Sequence, residues 1–109
     1  MPGAEPPLEG AALARFREGL ACFERGEWFA AHEHWEDAWK VYAGADRSFL
    51  QGLIQASVAL YHRERGNANG FARQRVRALE KLRQFPDRWW GLEIAAVRDL
   101  LTSLSPDRR

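Results

Sequence analysis

The segment AAHEHWEDAWK, residues 30–40, places two histidines, three acidic residues and two tryptophans within eleven positions. Imidazole and carboxylate groups at this spacing can bind a metal ion or transfer a proton. At about 100° per residue on a helix, His32 and Glu36 lie one turn apart beside the aromatic residues, whereas His34 lies on the opposite side. His32 and Glu36 are therefore the candidates for an inward-facing site.

A second polar stripe follows on the next predicted helix, which is otherwise apolar around most of its circumference. Gln51, Gln55 and His62 are separated by four and seven residues, a spacing that places them on one side of a helix. If the two helices pack antiparallel, either His32 or Glu36 can meet either glutamine. The sequence thus predicts a buried polar cluster formed by these five residues.

Two interpretations of this cluster stay open. In the first, these side chains form hydrogen bonds with one another within a helix interface, so that no buried polar atom is left unpaired. In the second, they line a pocket for a metal ion or a small ligand. The candidate metal ligands are His32, Glu36 and His62, because a zinc site needs three or four protein ligands. Glu36, however, stands where the zinc-protease pattern His-Glu-x-x-His has its second histidine.

The sequence leaves open whether the chain is an enzyme. Its serines lack the nucleophile-elbow motif, and its glycine-rich segment GNANG lacks the lysine of a phosphate-binding loop. The cofactor, if there is one, and the reaction therefore stay undetermined.

Aromatic residues mark further candidate surfaces. Trp35 and Trp39 are predicted on the inward face of one helix, and Tyr61 on the inward face of the next. Trp89 and Trp90 are adjacent in a segment between helices. One ring of this pair is expected to lie under the bundle and the other to offer a possible partner surface.

The elements that position these residues are predicted to be helices, because apolar residues recur with a period of 3.6 between glycine and proline breaks. The helices are predicted at about 8–24, 27–42, 46 or 47 to 65, 68–84 and 92–104. The fold class is all-α, a compact bundle of about five helices with short connections. Residues 1–7, with three prolines, are predicted to be a flexible arm, and residues 8–105 a single domain.

Two further expectations concern particular helices. The fourth helix is predicted to turn Ala72, Val76, Leu79 and Leu82 inward. An Arg-Gly pair recurs forty residues apart, in FERGEWF from residue 23 and in RERGNAN from residue 63. The recurrence predicts a repeat-like helical hairpin, although two units are fewer than the three that a solenoid needs.

Charge is distributed unevenly along the chain. Residues 1–46 contain nine acids and four bases, a net charge of −5, whereas residues 47–109 contain six acids and twelve bases, a net charge of +6. Arg73, Arg77 and Lys81 form one stripe of the fourth helix, which could contact nucleic-acid phosphates. A solvated helix face is the commoner explanation of such a stripe, and the acidic first half of the chain favours charge pairing within the molecule or in a symmetric homodimer over nucleic-acid binding.

The only cysteine, Cys22, excludes an intramolecular disulfide and fits a reducing compartment. It is interpreted as a buried bystander rather than a nucleophile. The start of the chain lacks the features of a signal peptide, and no apolar run approaches about 20 residues. The expected location is therefore the cytoplasm, without a membrane partner.

Two linked segments, FERGEWFAAHEHWEDAWK and FLQGLIQASVALYHRERGNANGFARQRVRALEKL, resemble the domain of unknown function 309 family, which comprises small all-helical prokaryotic proteins. The resemblance covers roughly residues 12–104. The motif positions correspond to Phe23, Gly26, Ala31, His32, Glu33, Trp35, Glu36, Trp39, the run from Phe49 to Gln55, Tyr61 and His62. The resemblance implies a helical fold and no established activity. Where the family tends to have an aspartate able to cap the last helix, this chain has Glu93.

These observations favour a protein-interaction or self-association module with a buried histidine, glutamate and glutamine cluster. The alternative is a metal- or small-ligand-binding enzyme, hydrolase-like, that uses this cluster. A second alternative is weak nucleic-acid binding through the arginine-rich fourth helix.

Overall fold

The computed structural model describes residues 5–107. They form α1 (Gly10–Glu24), α2 (Trp28–Val41), α3 (Arg47–Glu64), α4 (Ala68–Leu82), β1 (Arg88–Trp89), β2 (Leu92–Glu93) and α5 (Ile94–Ser103). This is the predicted all-α bundle with short connections. Residues 1–4 of the predicted arm lie outside the described residues, and residues 5–7 are neither helix nor strand.

The chain reverses direction by the same turn between α1 and α2 and between α3 and α4. Gly26 and Gly66 end the two preceding helices with φ angles of 75° and 79°. The next residue in each turn donates its backbone N–H to the carbonyl five positions earlier, at 2.9 Å from Glu27 to Cys22 and 2.8 Å from Asn67 to His62. These bonds define a Schellman helix end, which glycine adopts without steric cost. The forty-residue recurrence in the sequence is therefore a recurrence of structure.

The helices that flank α3 run parallel to each other. Phe29, near the start of α2, contacts Tyr61 near the end of α3, with ring centroids 5.1 Å apart. Gly70, near the start of α4, lies against His62 in the same region of α3. Both α2 and α4 are thus antiparallel to α3, which lies between them and contributes eight buried residues to the core.

Close approach of α1 and α2 depends on a missing side chain. A Cβ atom on Gly19 would overlap the indole ring of Trp35. This ring is fully buried, and its Nε1 donates to the backbone carbonyl of Phe16 at 3.0 Å. Trp35 therefore satisfies its polar atom while filling the space between the two helices.

Between α4 and α5 lies a short β-hairpin that was not predicted, and its second strand occupies the first two residues of the helix predicted at 92–104. Trp90 and Gly91 both adopt left-handed φ angles, 53° and 78°, as a two-residue type I′ turn requires. Glu93 occupies the N-cap position of α5 but makes no side-chain cap; its carboxylate pairs with Arg88 across the hairpin.

The inward face of α4 differs from the prediction at Val76, which is 61% exposed. Leu79 and Leu82 are buried as predicted, and the buried face also contains Phe71 and Ala78, with Arg75 at nearly the same angular position as Phe71 and Leu82. The prediction for Val76 was wrong because it excluded an arginine from the core-facing stripe. Arg75 is accommodated there because its guanidinium donates to the carbonyl of Leu104 at 2.8 Å.

Among residues 5–107, none of the helices combines the length and the apolarity needed to cross a membrane.

Candidate functional site

An open groove separates α2 from α3 on the outer side of the bundle. Its volume is about 180 Å³, and it is lined by Glu36, Trp39, Gln51, Ile54 and Gln55. The structure thus brings three members of the predicted polar cluster together. The side-chain Oε1 of Gln55 is inaccessible to solvent and has no hydrogen-bond partner among residues 5–107. A buried acceptor left without a partner costs about 1–3 kcal/mol, so this atom weakens the helix interface.

His32 does not line the groove, but its ring lies next to Glu36, which does. Its Nδ1 is 2.7 Å from the carbonyl oxygen of Phe29, which can only accept, so Nδ1 carries a proton. Its Nε2 lies 3.5 Å from a carboxylate oxygen of Glu36. The side chains of His32 and Glu36 are 19% and 43% exposed, so this part of the cluster lies at the surface edge of the helix interface rather than inside the core.

His62 is separated from the groove and faces α4. Its Nδ1 lies 3.3 Å from Nδ2 of Asn67, and its ring lies against Gly70. In the described part of the chain, no hydrogen bond joins His62, His32 or Glu36 to either glutamine. No group of three or more histidine, cysteine, aspartate and glutamate side chains within residues 5–107 is placed to hold a metal ion. The three candidate metal ligands therefore do not converge.

The motif aromatic residues occupy three different environments. Trp35 is entirely within the core. Trp39 is partly buried, and the guanidinium of Arg47 lies 3.5 Å from its ring centroid. Tyr61 is partly exposed beside Phe29. Only Trp39 and Tyr61 therefore reach the outer surface of the α2–α3 hairpin.

Phe29 is a surface residue that the sequence analysis missed. Its side chain is 49% exposed, although its ring contacts both His32 and Tyr61. A signal was present, because Phe29 lies about 100° from Trp28 on the helix and thus outside the aromatic face. A large apolar residue in that position indicates a contact surface.

The tryptophan pair offers less surface than predicted. Trp90 is only 2% exposed, and its ring packs against Phe16 and Phe49 with centroids 5.5 and 5.0 Å apart. Trp90 is therefore unavailable as a partner surface in this fold. Trp89 is partly buried against Phe85, and its Nε1 has no hydrogen-bond partner among the described residues.

The outer side of α2, α3 and α4 forms one continuous surface, here called the three-helix face. Lys81 borders Gly52 of α3, and Arg73 and Arg77 precede it at four-residue intervals on the side of α4 away from α5. The face comprises Phe29, Glu33 and Glu36 of α2, Gln51, Gln55 and Val58 of α3, and Arg73, Arg77 and Lys81 of α4.

Opposite edges of the three-helix face carry opposite charges. Glu33 on α2 and Arg73 and Arg77 on α4 are exposed. None of the ion pairs within residues 5–107 includes these three side chains. Arg75, by contrast, is held by carbonyls of α5 and its C-terminal end. Of the stripe predicted as a possible phosphate contact, Arg73 and Arg77 are therefore exposed and Lys81 is partly buried, and an acidic edge lies on the other side of α3.

Cys22 lies on α1, remote from the three-helix face, and is buried. Burial raises the pKa of its thiol, because removal from water disfavours the charged thiolate, and the nearby guanidinium of Arg25, 3.5 Å from Sγ, offsets only part of this effect.

Comparison with known proteins identifies the family. Residues 16–74, which extend from α1 into α4, match the family described as Domain of unknown function (DUF309). The chain belongs to the DUF309 family. The match includes the groove between α2 and α3 and ends before the β-hairpin and α5.

A relative of this DUF309 domain is an uncharacterized protein of Aquifex aeolicus (strain VF5), 27% identical over 86 residues. The aligned region is 78% of this chain but 26% of the relative, so the chain spans about a quarter of that protein's length. No solved structure matches the chain.

Proposed function

We propose that this DUF309 domain is a protein-interaction module whose binding surface is the three-helix face. The observation that carries the proposal is the ring of Phe29, a large apolar side chain that is 49% exposed on this face, where the open groove between α2 and α3 also lies. This ring would supply an apolar contact to a docked protein.

Groove size favours a protein partner over the alternative of a hydrolase-like enzyme that binds a metal or a small ligand. Small-molecule sites typically enclose about 300–1,000 Å³ and bury most of the ligand. The groove beside Gln55 has about 180 Å³ and is open to solvent. A shallow groove of this kind suits one side chain of a larger partner.

One further observation supports an interaction module. In the Aquifex aeolicus relative the matched region is 26% of the protein, so there the domain is joined to additional sequence. Nucleic-acid binding through α4 has less support, because the basic stripe lies on the same face as Glu33 and Glu36. We propose that residues 8–105 form one domain. We also propose a cytoplasmic location, because a single buried cysteine is compatible with a reducing compartment.

Photo-crosslinking in cells tests the proposal. A photoreactive phenylalanine analogue replaces Val58, at the centre of the three-helix face, and a matched protein carries it at Asp99, an exposed position of α5. We expect protein adducts from position 58 at several times the yield from position 99, because only position 58 would lie within an interface.

The Phe29→Ala substitution supplies a second arm of this experiment. It removes the half-exposed apolar ring from the face, so adduct yield from position 58 should fall while circular dichroism shows a folded protein. Equal yields from positions 58 and 99 would refute the proposed function, whatever the identity of the adducts.

A further inference from the structure

The two charged edges of the three-helix face are in register along the bundle. The structurally equivalent turns place the starts of α2 and α4, Trp28 and Ala68, at the same end of α3. Because the two helices run in the same direction, positions about forty residues apart lie at the same height along the axis of α3, here called the same level. Glu33 is therefore level with Arg73, and Glu36 is level with Arg77, one turn further along.

We infer that the partner of the three-helix face is a second copy of this chain, in a symmetric dimer whose twofold axis runs parallel to α3. This inference rests on the proposed function and names its partner. Rotation about such an axis preserves the level of each residue and exchanges the two edges of the face. It places Glu33 opposite Arg73 of the other copy and Glu36 opposite Arg77, each twice per dimer.

Charge selects this axis over the other arrangement of two identical faces. A twofold axis perpendicular to α3 places α2 against α2 and α4 against α4. Glu33 and Glu36 then face the same acids, and Arg73 and Arg77 face the same arginines, which is unfavourable. With the axis parallel to α3, acidic edges meet basic edges on both sides.

The extent of the face is compatible with a dimer interface. The 14 residues of α2 rise about 21 Å, and three helices spaced about 8–10 Å apart span about 25–30 Å. This patch is of the same order as the area of about 800 Å² that each partner buries in a standard interface. The exposed and unpaired state of Glu33, Arg73 and Arg77 leaves these charges available for the second copy.

Sedimentation of the purified chain tests the inference. We expect dimers at about 100 μM in 50 mM salt, and a dissociation constant at least about tenfold higher in 500 mM salt, because salt screens exposed pairs. An acid-reversed chain (Glu33→Lys with Glu36→Lys) and a base-reversed chain (Arg73→Glu with Arg77→Glu) should each be monomeric.

Combining the substitutions makes the test specific for the axis. The chain with all four substitutions should recover the dimer, because its edges are again opposite in sign. A matched control, Glu24→Lys with Asp99→Lys, changes the net charge by the same amount as the acid-reversed chain, at exposed positions outside the face, and should leave the dimer intact. Far-ultraviolet circular dichroism checks that each variant is folded.

Several outcomes would overturn the inference. A monomer at 100 μM in 50 mM salt overturns it, as does a dimer that persists in both charge-reversed chains. Failure of the four-substitution chain to dimerise overturns the axis parallel to α3. If the chain is monomeric but position 58 still forms strong adducts with another protein, the inference fails while the proposed function stands.

Discussion

At the scale of single residues, Asp46 joins the α2–α3 connection to the β-hairpin. Its carboxylate accepts hydrogen bonds from the hydroxyl of Tyr42 and, at 2.9 Å, from Nε1 of Trp90. Burial, reinforced by the hydrogen bond to Asp46 and its charge, raises the pKa of Tyr42 to about 12. The protonated phenol is therefore part of the folded structure.

This pKa predicts a loss of stability in alkaline solution. Tyr42 keeps its proton longer in the folded state than in the unfolded state, whose tyrosines ionise near pH 10. The stabilisation is complete below about pH 10 and is lost as the pH rises toward about 12. Between pH 9 and pH 11 the chain should lose about 1 kcal/mol that Tyr42→Phe does not lose, measured by urea unfolding.

The control is built into that comparison, because the two proteins share every ionisable group except the phenol at position 42. A Tyr42→Phe chain with the same pH dependence as the unchanged chain would show that the phenol at position 42 is not stabilised in its protonated form by the fold.

The residues of the candidate site show where a sequence is informative and where it is not. The helical wheel places Glu36 and Gln55 on sides of α2 and α3 that can meet, and both line one groove. It does not give the distance between the helices, so the exposure of Glu36 was not predicted. His62 lies on the same stripe as the glutamines, but the asparagine and glycine of the next turn hold it toward α4.

At the scale of elements, two arginines connect α4 and α5 reciprocally. Arg75 of α4 donates to the carbonyls of Leu101 and Leu104, and Arg98 of α5 donates to those of Leu82 and Phe85. The last carbonyls of a helix have no partner within it and attract cations. Each helix thus stabilises the C-terminal end of the other.

Removing one of these arginines should be costly. Arg98→Ala is expected to lose about 2–3 kcal/mol of stability, because two carbonyls at the end of α4 lose a charged donor. Arg98→Lys should recover only part of this loss, since an ammonium group cannot reproduce the fork of guanidinium donors. Thermal and urea unfolding measure both effects.

Arg88→Ala is the matched control for this prediction. Arg88 pairs with Glu93, but both side chains are more than 60% exposed, and exposed pairs contribute less than about 1 kcal/mol. Similar losses for Arg88→Ala and Arg98→Ala would contradict the assignment of Arg98 as a helix-end donor.

Helices were more predictable than the hairpin for a physical reason. Every predicted helix end lies within two residues of the observed one, because glycine turns and a sustained 3.6-residue period mark both limits. Strands of two residues have no measurable period. The left-handed turn at Trp90 is also unusual for a bulky residue, and it is maintained by contacts with Phe16 and Phe49 that are remote in sequence.

At the scale of the whole molecule, Trp90 connects the parts of the core. Its ring contacts Phe16 of α1, Tyr42 after α2 and Phe49 of α3, with centroids 5.0–5.6 Å apart. The two repeated hairpins are therefore joined by a residue that belongs to neither of them. A helical repeat that depends on such a residue should unfold together with the rest of the molecule.

The final prediction follows from this arrangement and compares two adjacent tryptophans. Trp90→Ala should lose about 3–5 kcal/mol, the usual cost of emptying a buried aromatic site. Trp89→Ala should lose clearly less, because the Trp89 ring is only partly buried and its Nε1 has no partner among the described residues. In the unchanged chain, urea transitions followed by tryptophan fluorescence and by circular dichroism should coincide. Two separate transitions would show that the hairpins unfold independently of each other, and equal losses for the two substitutions would contradict the greater contribution assigned to the buried ring of Trp90.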